Sequence, residues 1–158
     1  MRKHRWVVGV DGSTGSLCAL RWAVHEAHLH GGTVHALMAY DWAGTEAALL
    51  AGLGPEGERR RAEEILEAAV TEVRREYADV PISAEALLGK PALKLVEAAT
   101  EADLLVVGSR GHSHLRQAVL GSVSEACIRH ARCPVVVVPT PPPWPVSAGH
   151  NARATVAS

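Results

Sequence analysis

Nothing in the 158 residues approaches the ~20 consecutive apolar side chains of a membrane-crossing helix. The start, Met1-Arg2-Lys3-His4-Arg5, is basic, but no long apolar core or cleavage site follows, so it does not read as a secretory leader. An excess of one charge is also missing, since 16 basic and 17 acidic residues give a formal net charge of −1. That balance argues against duplex nucleic acid as a partner, because phosphate neutralisation needs surplus Lys and Arg. The Arg59-Arg60-Arg61 run lies beside Glu56, Glu58, Glu63 and Glu64 and reads as the solvated start of a helix. Cysteine is scarce. Cys18, Cys127 and Cys133 form no C-x-x-C pair, so three reduced, packed thiols are expected, with redox sensing by Cys127 and Cys133 as the alternative. No G-x-x-x-x-G-K-[ST] loop is present, which excludes P-loop phosphate machinery. These absences point to a soluble protein, expected in the cytoplasm.

What is present is an alternation of strand-like and helical runs. Residues 6–10, 34–40, 82–88, 104–107 and 135–138 read as five strands. The first, fourth and fifth are almost continuously apolar, as suits strands covered on both faces of a parallel sheet. Helices are expected over about 16–30 and 58–77, from Pro91 through Ala99, and from Leu120 or Gly121 to before Pro134. Gly31-Gly32 stops the first helix, and Ala62, Ile65, Leu66, Ala69, Val73 and Tyr77 form an apolar stripe on the second. Pro91 suits a first helical position, where its missing N–H would be unpaired in any case. The alternation argues for an open, doubly wound α/β sheet with helices on both faces.

Two stretches lack such a pattern. Residues 41–57 read as a long loop with one short helical turn at most, the kind of segment that often covers a site. Residues 141–158 open Pro-Pro-Pro-Trp-Pro and read as a disordered tail beyond a single domain over 1–140. There is no internal repeat, so a single copy of the fold is expected.

The most informative stretch is Gly108-Ser109-Arg110-Gly111, followed nine residues later by Gly121-Ser122-Val123-Ser124. It begins at a strand end and finishes where a helical pattern starts. Glycine permits positive φ and close backbone approach, and a helix N-terminus offers unpaired N–H groups to an anion. The arrangement predicts a phosphate cradle. The plainer alternative is that the glycines serve tight turns only.

The spacing G-x2-G-x9-G-S, together with Val7-Val8-Gly9-Val10-Asp11-Gly12-Ser13 and Cys133-Pro134-Val135-Val136-Val137-Val138-Pro139, resembles the universal stress protein family, in its ATP-binding branch. The resemblance runs from about Trp6 to Pro139. It implies a five-stranded parallel sheet in the order 3-2-1-4-5, of the adenine nucleotide alpha hydrolase-like type. In that order the loop after the first strand (Gly9, Val10, Asp11, Gly12, Ser13) meets the loop over 108–114 in one crevice. The resemblance implies Asp11 against the nucleoside and the backbone of Ala39 against adenine. Gly108 would approach the ribose and α-phosphate, and Gly111, Gly121, Ser122 and the N–H of Val123 would surround the phosphates. Arg110 and His112 flank the loop, and Ser122 and Ser124 could add hydroxyl bonds. Asp11 read alone is also a turn or capping residue, a role that can coexist with ligand contact, and Ser124 is equally a helix-capping or back-bonding residue.

The expected ligand is therefore ATP, with AMP or ADP as alternatives and Mg²⁺ accompanying ATP. A metal held by the protein itself is not expected. His25, His28 and His30 share a helix without a ligand set of known spacing, and His112-x-His114 is a poor magnesium site because magnesium prefers oxygen. No carboxylate or glutamine stands out to align an attacking water. The leading reading is an ATP-binding regulatory protein of stress adaptation, with slow or no hydrolysis. Its rivals are a slow ATPase or nucleotidyl-transfer enzyme using the same pocket, and a nucleotide-independent dimeric interaction module. A homodimer is expected through residues 135–138, an apolar strand at the sheet edge; a tail folding back over that edge is the alternative.

Overall fold

The computed structural model describes residues 3–42, 44, 46–51, 54–112, 120–140 and 155–157. Its strands are β1 (Arg5–Gly9), β2 (Thr33–Tyr40), β3 (Ile82–Leu88), β4 (Leu104–Gly108), β5 (Val135–Val138) and β6 (Thr155–Ala157). They form one sheet in the order β3-β2-β1-β4-β5-β6. The first five strands are parallel, in the order 3-2-1-4-5, and β6 runs antiparallel to β5. The helices are α1 (Thr14–His30), α2 (Glu46–Leu50), α3 (Pro55–Arg74), α4 (Pro91–Ala98) and α5 (Ser122–His130).

Alternation along β1 shows why both faces are covered. Successive side chains of a strand point to opposite faces. Val8 accordingly joins Ala19, Leu20, Leu66 and Val70 of α1 and α3 in one core. Val7 joins Leu95 of α4 and Cys127 of α5 in the other. Burying a valine or leucine side chain contributes about 1.5–3 kcal/mol, so these two layers hold the sheet between its helices.

Local chemistry sets the helix ends. The Ser13 side chain accepts a hydrogen bond from the Ser16 N–H at 3.2 Å, which caps α1. Gly31, at φ 72°, ends α1 in the left-handed conformation that glycine adopts without strain. Pro91 opens α4, as its sequence position suggests. Proline also opens α3, three residues before the expected start, and α2 supplies the single short turn within 41–57.

The expectations for the C-terminal residues need correction. Residues 141–154 and 158 lie outside the described residues, but Thr155–Ala157 forms a strand and is not disordered. Consequently β5 is not the edge strand. Thr and Val favour extended backbone, and an all-valine edge offers them a ladder.

The three cysteines are free thiols. Burial pushes the Cys127 thiol up to about 11, and burial also raises Cys18 and Cys133. Thiols raised in this way are poor nucleophiles, which favours the packed over the redox-sensing reading. No helix among the described residues is long and apolar enough to cross a membrane.

Candidate functional site

β1 and β4 are neighbours in the sheet, yet α1, after β1, packs on one face and α5, after β4, on the other. The chain diverges at this point and leaves a crevice beyond the strand ends. A cavity of about 320 Å³ occupies it. Gly9, Val10 and Asp11 line it from the β1 side, and Leu37 and Ala39 from β2. Gly108, Arg110, Gly111 and His112 come from the β4 loop, and Gly121, Ser122, Val123 and Ser124 from the start of α5. Two loops about a hundred residues apart in sequence thus converge on one space.

Gly12 and Ser13, also expected here, do not line this cavity. Gly12 turns the chain at φ 81°, and the Ser13 hydroxyl is committed to capping α1. Both face a separate hollow of about 310 Å³ between α1 and α3, beside Ile65 and Glu72. Conversely, the sequence reading missed Ser16, Leu37, Pro91, Leu95 and Val107. The missed apolar residues form the floor: Leu37, Leu95 and Val107 are buried, as is Val10.

Asp11 builds the β1 loop. Its Oδ1 accepts from the Ser13 N–H at 2.9 Å, an Asx turn, and its own N–H donates to Ser16 Oγ at 3.2 Å. The second carboxylate oxygen faces Gly111, where an added Cβ would stand 2.5 Å from it. His112 Nε2 donates to the Asp11 carbonyl at 2.5 Å and ties the two loops together. Arg110 is exposed at the rim.

Gly108 and Gly111 are needed for space, not for unusual dihedrals. Glycine permits positive φ, but Gly108, Gly111 and Gly121 all lack it. A Cβ on Gly108 would lie 2.7 Å from the Gly15 carbonyl oxygen, so this glycine lets α1 approach β4. Gly15, buried and also missed, is reciprocal: its Cβ would collide with the Arg110 carbonyl. Gly121 has φ −73° and caps α5, and a Cβ there would make ordinary contacts of 3.5–3.6 Å with Ser109 and Arg110.

The rim of the cavity near α5 is rich in donors. Gly121 N–H donates to the Ser109 carbonyl at 2.7 Å. The following N–H groups, from Ser122 to Ser124, belong to the first turn of α5 and have no partner one turn back within the helix. They carry the positive end of the helix dipole. Ser124 is 4% exposed, and its hydroxyl donates to the Gly108 carbonyl at 2.5 Å, so it ties α5 to the end of β4 instead of back-bonding its own helix. An apolar floor and a donor-rich, positive rim suit a ligand with a flat apolar part and an anionic part.

The histidine candidates do not assemble. His25 bonds Tyr77 through Nδ1 at 2.9 Å, and His28 bonds Asp79 at 2.8 Å, both on the exposed surface. No cluster of three or more His, Cys, Asp or Glu able to hold a metal exists among the described residues. His114 lies outside them.

Fold and crevice define an open α/β protein with its cavity at the topological switch point. The Universal stress protein family model matches residues 3–139, and the chain belongs to that family. A universal stress protein of Mycobacterium tuberculosis is 37% identical over 131 residues, covering 83% of this chain and 44% of that protein. The chain thus spans about half the length of such mycobacterial relatives. Among solved structures, a universal stress protein in complex with cAMP is 31% identical, with a TM-score of 0.64, covering 89% of this chain and 100% of that one. The universal stress protein of Archaeoglobus fulgidus in complex with dAMP is 27% identical, with a TM-score of 0.62, covering 87% and 98%.

Proposed function

We propose that the chain binds an adenine nucleotide in the crevice between β1 and β4 and acts as a regulatory protein of stress adaptation. The observation that carries this reading is the division of the cavity: buried Val10, Leu37, Leu95 and Val107 on one side, the first turn of α5 on the other. The base would lie on the apolar floor, near the Ala39 backbone. Phosphates would meet the N–H groups of Ser122 and Val123, the Gly111 loop and the Arg110 guanidinium, with Asp11 toward the sugar. Each helix-terminus contact is worth about 0.3–1 kcal/mol, up to ~2 when partly buried. Complexes of two family members with cAMP and dAMP support the choice of adenine.

ATP is the expected ligand, with AMP or ADP as alternatives. Its Mg²⁺ would be held by phosphate oxygens and water, since Asp11 is the one carboxylate lining the cavity among the described residues and one of its oxygens already serves Ser13. One Asp11 oxygen is spent on the turn, and the described lining residues include no glutamine or glutamate to align an attacking water, so binding with slow or no turnover is the better description. A slow ATPase is distinguished by single-turnover assay with radiolabelled ATP. Native mass spectrometry of freshly purified protein tests the proposal: a mass increment of one adenine nucleotide per chain is expected. Consistently ligand-free protein that also takes up no added ATP or AMP would overturn it. Location in the cytoplasm and the stress role rest on the family alone. The homodimer expected through β5 requires that β6 give way.

A further inference from the structure

Two polar side chains are buried among the described residues, Ser16 and Ser124, each 4% exposed. Both line the crevice, from opposite walls: Ser16 on α1, which follows β1, and Ser124 on α5, which follows β4. Their partners lie at one level of the sheet. In a parallel ladder the slanted bonds run from a residue to the carbonyl just before its opposite number. Val10, one step past the Gly9–Leu37 pair, accordingly donates to the Leu37 carbonyl at 2.9 Å. On the β4 side Val8 lies opposite Val106, so Asp11 would come opposite Ser109 and donate to the Gly108 carbonyl. That carbonyl points the right way. The Ser109 N–H donates to Val138 of β5 at 2.8 Å, and within a trans peptide the C=O points opposite to the following N–H. Instead, the Asp11 N–H donates to Ser16 Oγ at 3.2 Å, and the Gly108 carbonyl accepts from the Ser124 hydroxyl at 2.5 Å.

We propose that Ser16 and Ser124 are a pair of wedges. Each takes one half of the next β1–β4 rung, and together they hold the strand ends apart and keep the crevice open. That an adenine nucleotide fills the opened space rests on the reading above. Ser16 Oγ also donates to the Ser13 carbonyl at 3.0 Å, so the loop that carries Asp11 is fastened to α1 and away from β4. Ser124 draws the start of α5 onto the end of β4. It also covers an oxygen whose partial negative charge would otherwise oppose an anion at the α5 N–H groups. With neither hydroxyl, a bare donor and a bare acceptor face each other across the crevice. Leaving both unpaired costs more than letting them meet, so the rung forms and the space closes. Both serines are positioning residues, acting through the walls of the crevice.

The test is a double-mutant cycle on the full chain: Ser16→Ala, Ser124→Ala and the two together. Amide exchange at Asp11 should become about tenfold faster in Ser16→Ala, which removes its acceptor. In the double variant it should be slow again, because the Gly108 carbonyl takes over. Each single substitution should lower the urea midpoint, and the double variant should lose less than the two losses added together. Slow exchange at Val7 and Val106, within the ladder, reports that each variant is folded. ATP affinity should move the other way and drop about tenfold in the double variant, although its Asp11 amide is the better protected. A merely structural role would make protection and affinity fall together. Fast Asp11 exchange in the double variant, or losses of stability that simply add, would overturn the proposal. So would a double variant that binds ATP as the unaltered chain does. The exchange and urea readouts need no ligand, so an unaltered chain that takes up no ATP defeats the nucleotide reading alone, and those two readouts still decide the wedge.

Discussion

Gly108 and Gly121 stand at two ends of one motif and have different physical duties. An alanine at Gly108 would press its Cβ against the Gly15 backbone at 2.7 Å, and backbone cannot swing aside as a flexible side chain can. Gly108→Ala should therefore destabilise the fold by about 1–3 kcal/mol, the usual range for overpacking, measured by urea denaturation. Gly121 has ordinary dihedrals and open contacts, so Gly121→Val should leave the urea midpoint nearly unchanged while its branched side chain crowds the phosphate approach. Equal losses of stability in both variants would show that the motif is purely structural. Asp11→Ala removes the acceptor of the Ser13 N–H, and a cost of about 1 kcal/mol in stability is expected. If Asp11 also meets the ligand, nucleotide affinity drops by more than that loss accounts for; unchanged affinity would leave it a turn residue. Gly108, Gly111 and Gly121 could be found in the sequence because their spacing links two loops. Ser16, Gly15 and Leu95 could not, because whether a helical residue faces the crevice depends on how the helix docks.

At the scale of elements, strands were legible wherever burial on both faces demands an unbroken apolar run, as in 104–107 and 135–138. β3 was also read as a strand, although most of it is exposed or half-buried. β6 escaped because three residues carry no period, and Thr155-Val156-Ala157 is a strand only by virtue of the edge it meets. Element packing also sets one pH response. His35 on β2 bonds Ser83 through Nδ1 at 2.9 Å and lies 3.4 Å from Glu85, both on β3, with Arg5 of β1 nearby. Burial holds its imidazole below the ordinary value of 6.5, against the opposing pull of Glu85. Below 6.5 the unfolded chain then takes up more protons than the folded one, so this group's contribution to stability is lost as pH falls through its folded value. Melting temperatures of the unaltered protein and of His35→Gln, compared at about pH 7 and about pH 5, should show a smaller acid loss in the variant. An equal loss would place the acid sensitivity elsewhere.

For the whole molecule, the sheet order decides where a ligand can bind. Parallel strands bring all their carboxyl ends to one side, and the divergence of α1 and α5 opens that side between β1 and β4. The resemblance located the crevice, and the sequence placed its donors; its apolar floor emerged only from the packed arrangement of β2, β4 and α4. The central claim is that this one crevice binds an adenine nucleotide through apolar floor and helix terminus together. Calorimetric titration of ATP tests it most directly, with inorganic tripolyphosphate as the anion-only control and Gly121→Val as the site control. One ATP per chain should bind at millimolar or tighter affinity, about −4 kcal/mol or stronger, with tripolyphosphate at least tenfold weaker. Folded Gly121→Val should likewise lose at least tenfold. Unaltered ATP affinity in that variant, or no saturable binding of ATP at all, would contradict the account.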